Sequence, residues 1–120
     1  MINPNDVLQF LQAADQYPLT NEYDGLYYRL IQEEYHELQE AVEQGDTVKE
    51  LDGCLDLIWV IIGHCYMKGY DISGAWNELT RSNMDKINPE TGKMDRREDG
   101  KIIKPKHWTP PNFQPFVGVL

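Results

Sequence analysis

Residues 47–68, TVKELDGCLDLIWVIIGHCYMK, decide how this chain folds. The stretch reads as one helix that stops at Gly69. Its second half, from Leu57 to Met67, is apolar nearly all round, and such a helix is buried on most sides. Working outward, Asn5-Asp6 predicts a cap for a first helix reaching about Gln16, with Val7, Phe10, Leu11 and Ala14 as its stripe. A second helix is expected from about Tyr23 to Gln44, stopping at Gly45. A fourth is expected from a cap at Asp71 or Ser73 to near Pro89. The connections are short, so neighbouring helices should be antiparallel. Beyond Pro89, Lys93–Arg97 and Lys101–Lys104 predict a hairpin across Asp99-Gly100, and KPKHWTPPNFQPFVGVL predicts an extended arm laid on a surface. The expected fold is therefore all-α. Residues 1–88 form an antiparallel bundle of about four helices, and residues 89–120 add a short hairpin and arm to the same domain. Three other helices cannot easily surround the third, so the bundle is expected to be completed by oligomerisation.

At 120 residues the chain is one domain's worth, and it buries only about two-thirds of its unfolded surface when alone. Its 41% hydrophobic and 26% charged content excludes a disordered chain. No run approaches the ~18 apolar residues of a membrane span. MINPNDVLQF carries no basic region followed by an apolar run, so no signal peptide is expected. Twenty acidic residues against eleven basic ones give a net charge of −9, which argues against a nucleic-acid binder. The charge is uneven. Residues 1–80 hold three basic and fifteen acidic side chains, while residues 81–120 hold eight basic and five acidic ones. The C-terminal third is thus the part suited to an anion. Cys54 and Cys65, eleven residues apart on one helix, are about 16 Å apart. That is too far for a disulfide, so a reducing cytoplasmic setting is expected.

Carboxylates break the apolar pattern. At about 100° per residue, Glu34 falls in the middle of the second helix's apolar arc and Glu37 inside it, with Glu33 and Glu40 at its rim. On the third helix, Asp52 and Asp56 border the apolar stripe in line with one another, beside Leu51, Leu55, Ile58, Ile62 and Tyr66. Inward carboxylates are costly unless something neutralises them. Two antiparallel helices with such pairs make an oxygen-lined cavity of the kind that takes a hard divalent cation. Di-iron chemistry wants Glu-x-x-His pairs; Glu33 and His36 supply one, but His36 falls off the apolar face. On the fourth helix, Asn83 continues the stripe Ile72, Ala75, Trp76 and Leu79, with Lys86 one turn on. An inward amide and ammonium suit a phosphate or sugar, although, for these two residues taken alone, a backbone cap by Asn83 and a pairing of Lys86 with Asp56 or Glu37 is the stronger account.

Taken together, Glu33-Glu34-Tyr35-His36-Glu37, Leu51-Asp52-Gly53-Cys54-Leu55-Asp56 and Ser82-Asn83-Met84-Asp85-Lys86 resemble the EExxE, ExxD and Asn-x-x-Lys motifs of the all-α nucleotide pyrophosphohydrolase superfamily. The likeness is to the short MazG-like proteins of phages and mobile gene cassettes. Where ExxD has its glutamate, this chain has Gly53; Asp52 faces the same way as Asp56 and is expected to take over that role. The resemblance implies hydrolysis of (deoxy)nucleoside triphosphates to monophosphate plus pyrophosphate. Glu34, Glu37, Asp52 and Asp56 would hold Mg²⁺, with Mn²⁺ as an alternative, and Glu33 would activate the water. Asn83 and Lys86, with Lys101 and Lys104 from the basic tail, would contact the phosphates or sugar. Phe10, Gln16, Tyr27 and Trp76 are available to a nucleobase. A homo-oligomer, dimer or tetramer, is expected, with no nucleic-acid or membrane partner. Two other readings stand beside this one: phosphoribosyl-ATP as substrate, and a helical oligomerisation module without catalysis.

Overall fold

The computed structural model describes residues 1–18, 23 and 25–118. Helix α1 spans Pro4–Ala13, α2 Leu26–Gln44, α3 Thr47–Met67 and α4 Ile72–Met84. A two-stranded antiparallel ribbon follows, with β1 (Ile87–Asn88) paired to β2 (Lys93–Met94), and a short 3₁₀ turn lies at Gln114–Phe116. No helix among the described residues is long and apolar enough to cross a membrane. The chain divides into two compact units, 1–72 with 118–120, and 73–117.

Local chemistry sets the helix ends. The α1 cap is Asn3, not Asn5-Asp6: its side-chain oxygen accepts from the Asn5 N–H at 3.0 Å, and Pro4 occupies the first turn, where no N–H is needed. Gly45 ends α2 with a φ of 69°, a left-handed conformation that glycine adopts without strain. Asp46 caps α3 by accepting from the Lys49 N–H at 3.1 Å. Helix α4 stops at Met84, short of Pro89, because Ile87 is already committed to the ribbon.

In the first unit α3 packs on both α2 and α1. Leu11 and Val7 of α1, Tyr27 of α2, and Val60, Ile62, Tyr66 and Met67 of α3 form the core. Two glycines let α2 and α3 approach closely. A Cβ on Gly53 would meet the Leu38 Cα at 3.3 Å, and one on Gly63 would lie 2.6 Å from two Tyr27 ring carbons. Tyr27 cannot easily yield: it is buried and its hydroxyl donates to Gln16 Oε1 at 2.7 Å. Gly63→Ala is therefore expected to destabilise the chain by about 1 kcal/mol, since overpacking of about 2 kcal/mol outweighs a helix-propensity gain of about 1. Gly53→Ala should be nearly neutral. Chemical denaturation of the two variants tests this; a more stable Gly63→Ala would contradict it.

The expectation that α3 is buried on most sides holds only for its last turns, from Ile62 to Met67. Ile62 and Tyr66 are covered, but Leu51, Leu55 and Ile58 of the same arc are exposed, as are Trp59 and Ile61. Cys54 and Cys65 are free thiols, each half-buried.

In the second unit the buried residue of α4 is Ser82, at 1% exposure. Of the stripe read from the sequence, Ile72, Ala75 and Leu79 are half-buried, but Trp76 is 64% exposed and Asn83 is exposed, so Asn83 does not continue a covered face. The arm supplies the cover. Trp108 Nε1–H donates to the Ser82 carbonyl at 2.6 Å, the Ser82 hydroxyl to the Thr109 carbonyl at 3.1 Å, and the Asn112 N–H to Glu78 Oε2 at 2.6 Å. The predicted pairing across Asp99-Gly100 is present as one bridge, Arg96 to Ile102, while the regular ribbon forms earlier, around Thr91-Gly92. The Val119-Leu120 end of the arm lies outside the described residues.

Candidate active site

Because α2 and α3 run antiparallel, with Leu38 against Gly53 and Tyr27 against Gly63, the middle of one helix faces the middle of the other. Glu34 and Glu37 project from α2 there, Asp52 and Asp56 from α3, but only Glu34 and Asp56 are half-buried; Glu37 and Asp52, expected on the inward side, are exposed. Burial raises the Glu34 carboxyl above the usual carboxylate range, and the negative charges of Glu37, Asp56 and Asp52 raise it further. Asp56 is raised by burial and then by the charges of Asp52 and Glu37. These dependences bring all four predicted carboxylates into one electrostatic group. Glu34 Oε2 is sealed from solvent and has no hydrogen-bond partner. No salt bridge among the described residues involves any of the four. Nor, among those residues, do three or more His, Cys, Asp or Glu side chains converge on one point at metal-ligating distance.

The other predicted residues are placed as follows. Glu33 is exposed and outside the group whose charges act on Glu34 and Asp56. His36 pairs with Glu40 at 2.9 Å on the surface, which disposes of its reading as a half of a di-iron motif. Asn83 is exposed rather than inward, and its side-chain oxygen accepts from Lys86 Nζ at 3.1 Å. Lys86 thus turns to Asn83, and its ammonium also lies 5.5 Å from the Trp108 ring centroid. Lys104 lies 4.7 Å from the same centroid. Lys101 is exposed, and its backbone closes the Asp99-Gly100 turn. The carboxylates belong to the first compact unit and the lysines to the second.

A cavity of about 250 Å³ opens in the first unit between the start of α2 and the end of α3, lined by Tyr23, Tyr27, Tyr28, His64, Met67 and Lys68 among others. Burial, and then the Lys68 charge, push His64 below its ordinary pKa, so its ring is neutral at pH 7 and offers one donor and one acceptor. Tyr28 meets it edge to face at 5.9 Å. Of this lining, Tyr27 alone is among the four residues that the resemblance leaves available to a base. His64 lies on a helix whose apolar run masks it, Lys68 caps that helix, and Trp108 gave only the weak signal of an aromatic just after lysines.

Residues 7–83 match the family described as phosphoribosyl-ATP pyrophosphohydrolase. The match takes in all four carboxylates and ends at Asn83, before Lys86 and the arm. No curated protein matches the chain significantly.

Proposed function

Because the chain belongs to the phosphoribosyl-ATP pyrophosphohydrolase family, within the all-α nucleotide pyrophosphohydrolase superfamily, it is a nucleotide pyrophosphohydrolase, and we propose that its substrate is a (deoxy)nucleoside triphosphate, cleaved to monophosphate and pyrophosphate. The observation that carries the reading is the buried, unpartnered Glu34 oxygen among three further carboxylates. An all-oxygen donor set of this charge fits Mg²⁺, or Mn²⁺, rather than a soft metal. Glu34, Glu37, Asp52 and Asp56 would hold it. When bound, the ion supplies charge that neutralises phosphate oxygens and acidifies water.

The chain's own residues do the rest. Glu33, exposed at the rim of the α2 acidic face, takes the proton of the attacking water. The water oxygen bonds to the α-phosphorus, the bond from that phosphorus to the α–β bridging oxygen breaks, and pyrophosphate leaves. Asn83, Lys86, Lys101 and Lys104 serve as phosphate contacts. The cavity beside His64 takes the base. It lies seven residues, about 10 Å, from Glu34 along α2, which leaves room for the sugar between. Its aromatic walls, Tyr27, Tyr28 and the His64 ring, suit a base.

The likeness of the chain's motifs to the short MazG-like proteins favours a triphosphate, and the name of the matched family favours phosphoribosyl-ATP. A panel of nucleoside triphosphates and phosphoribosyl-ATP, assayed with Mg²⁺ and Mn²⁺ for pyrophosphate against single phosphate, separates them. Turnover of phosphoribosyl-ATP alone would overturn the triphosphate reading.

Asp52 is proposed to stand in for the motif glutamate. Asp52→Asn should lower turnover about tenfold, or about 1.4 kcal/mol in the barrier. Gly53→Glu, which restores the motif, should gain nothing, because its side chain would start 3.3 Å from the Leu38 backbone. Higher activity in Gly53→Glu with no effect of Asp52→Asn would remove the role given to Asp52.

The exposed residues Leu51, Leu55, Ile58, Trp59 and Ile61 of α3 support a homo-oligomer, dimer or tetramer, formed over that face. Sedimentation of the wild-type chain and of Leu55→Glu, expected to dissociate, tests it.

A further inference from the structure

Helix α4 ends with carbonyls that have no partner within the helix. Trp108 takes one of them: its indole N–H reaches the Ser82 carbonyl at 2.6 Å. The ring is held from both sides along the arm, by the Ser82 hydroxyl on the Thr109 carbonyl at 3.1 Å and by His107 Nε2 against the Asp85 carbonyl at 3.0 Å. Onto this fixed ring fold two lysines from different parts of the chain. Lys86, just after α4, stands 5.5 Å from the ring centroid, and Lys104, in the arm, 4.7 Å. Both are within the ~6 Å at which a ring face attracts a cation. The two ammonium groups therefore lie no more than about 10 Å apart.

Four of the six carboxylates of residues 73–117 are engaged elsewhere, and the other two, Glu90 and Glu98, make no salt bridge with either lysine. Glu78 and Asp85 are paired with Arg81, Asp99 with Arg97, and Asp95 accepts from Asn88. Neither lysine makes a salt bridge among the described residues. Two like charges gathered without an acid are disfavoured unless an anion joins them, and residues 73–117 carry eight basic side chains against six acidic ones. A single phosphate satisfies one ammonium; a chain of two phosphates offers a charged group to each.

We infer that Trp108 is a positioning residue that gathers Lys86 and Lys104 into a receptor for a pyrophosphate group, the product of the proposed reaction. This rests on the triphosphate reading above. Trp108 touches no phosphate; it acts through the lysines, and through Lys104 above all, which comes from the arm that Trp108 anchors.

The test is a titration of the full-length, ¹⁵N-labelled chain with inorganic pyrophosphate in EDTA, following the indole N–H resonance that Trp108→Phe removes. Pyrophosphate should shift that resonance, and orthophosphate should do so only at about tenfold higher concentration. Lys104→Gln and Trp108→Leu should each weaken pyrophosphate about tenfold, and the double variant no further, because the tryptophan works through the lysine. Trp108→Phe keeps a ring face and should lose less, which guards against a Leu variant that fails to fold. An unmoved Trp108 resonance, or additive losses in the double variant, would overturn the inference. Pyrophosphate binding by this pattern in a chain that releases none from any triphosphate would instead sink the substrate reading and leave the receptor standing.

Discussion

Asp56→Asn and Glu34→Gln are expected to release pyrophosphate at least 100-fold more slowly than the wild-type chain, yet to melt no lower. The loss corresponds to about 2.7 kcal/mol of barrier, a reasonable cost for removing a charged ligand from a divalent site. The stability half follows from the direction in which the two carboxyls titrate. Both are raised in the folded chain, by burial first and then by neighbouring acids. Folding therefore takes up protons. The stability these groups contribute is fully present below their unfolded pKa values near 4, and is lost as pH rises through the raised folded values. At pH 7, without metal, the wild-type chain holds repelling charges and a buried oxygen with no partner. A neutral amide removes one charge and brings a donor that a neighbouring carboxylate can accept. The metal-free variants should thus melt a few degrees above wild type at pH 7, with the difference closing toward pH 4. Mg²⁺ should raise the melting temperature of wild type and do so much less in either variant. Calorimetry across pH, with and without Mg²⁺, checks both signs. Full activity in both variants would remove the four-carboxylate site.

Leu11→Ala should cost about 3 kcal/mol, lowering the melting temperature by roughly 10 °C. Leu11 is 0% exposed and Val7 2%, the most covered apolar residues described, and together they seat α1 on α3. The core of the first unit is small, and a domain of this size has only about 5–15 kcal/mol to lose. An alanine leaves a cavity that α1 can close only by shifting off α3. Amide exchange should accelerate first in α1, whose hold on the unit depends on those two side chains, and later in α2 and α3. A loss below about 1 kcal/mol would show that α1 is not held by this contact.

Much of the candidate site was legible because a helix repeats locally. The spacing of Glu34 and Glu37, and of Asp52 and Asp56, puts each pair on one helical face whatever the chain does next. The inward angle of Glu34 among apolar neighbours is a local fact of the same kind. Asn83 was misread for a reason that exposes the limit. Its position continues an apolar stripe, but the arm covers α4 one residue earlier, at Ser82, and no periodicity within α4 announces what a segment 26 residues downstream will cover. The anchoring of Trp108 is invisible for the same reason.

By itself, the sequence determined that the chain is built from four helices, where Gly45 stops α2, and which acids share a helical face. Each depends on contacts within a few residues. Only the tertiary structure decided which flank of the all-round apolar α3 is covered, since such a helix carries no directional signal of its own. It also decided that Gly53 and Gly63 bring α2 and α3 close together, and that the arm folds back on α4 and draws Lys86 and Lys104 to one ring. Burial and charge pairing are set by whichever surface arrives from elsewhere in the chain, and that is a property of the packed molecule.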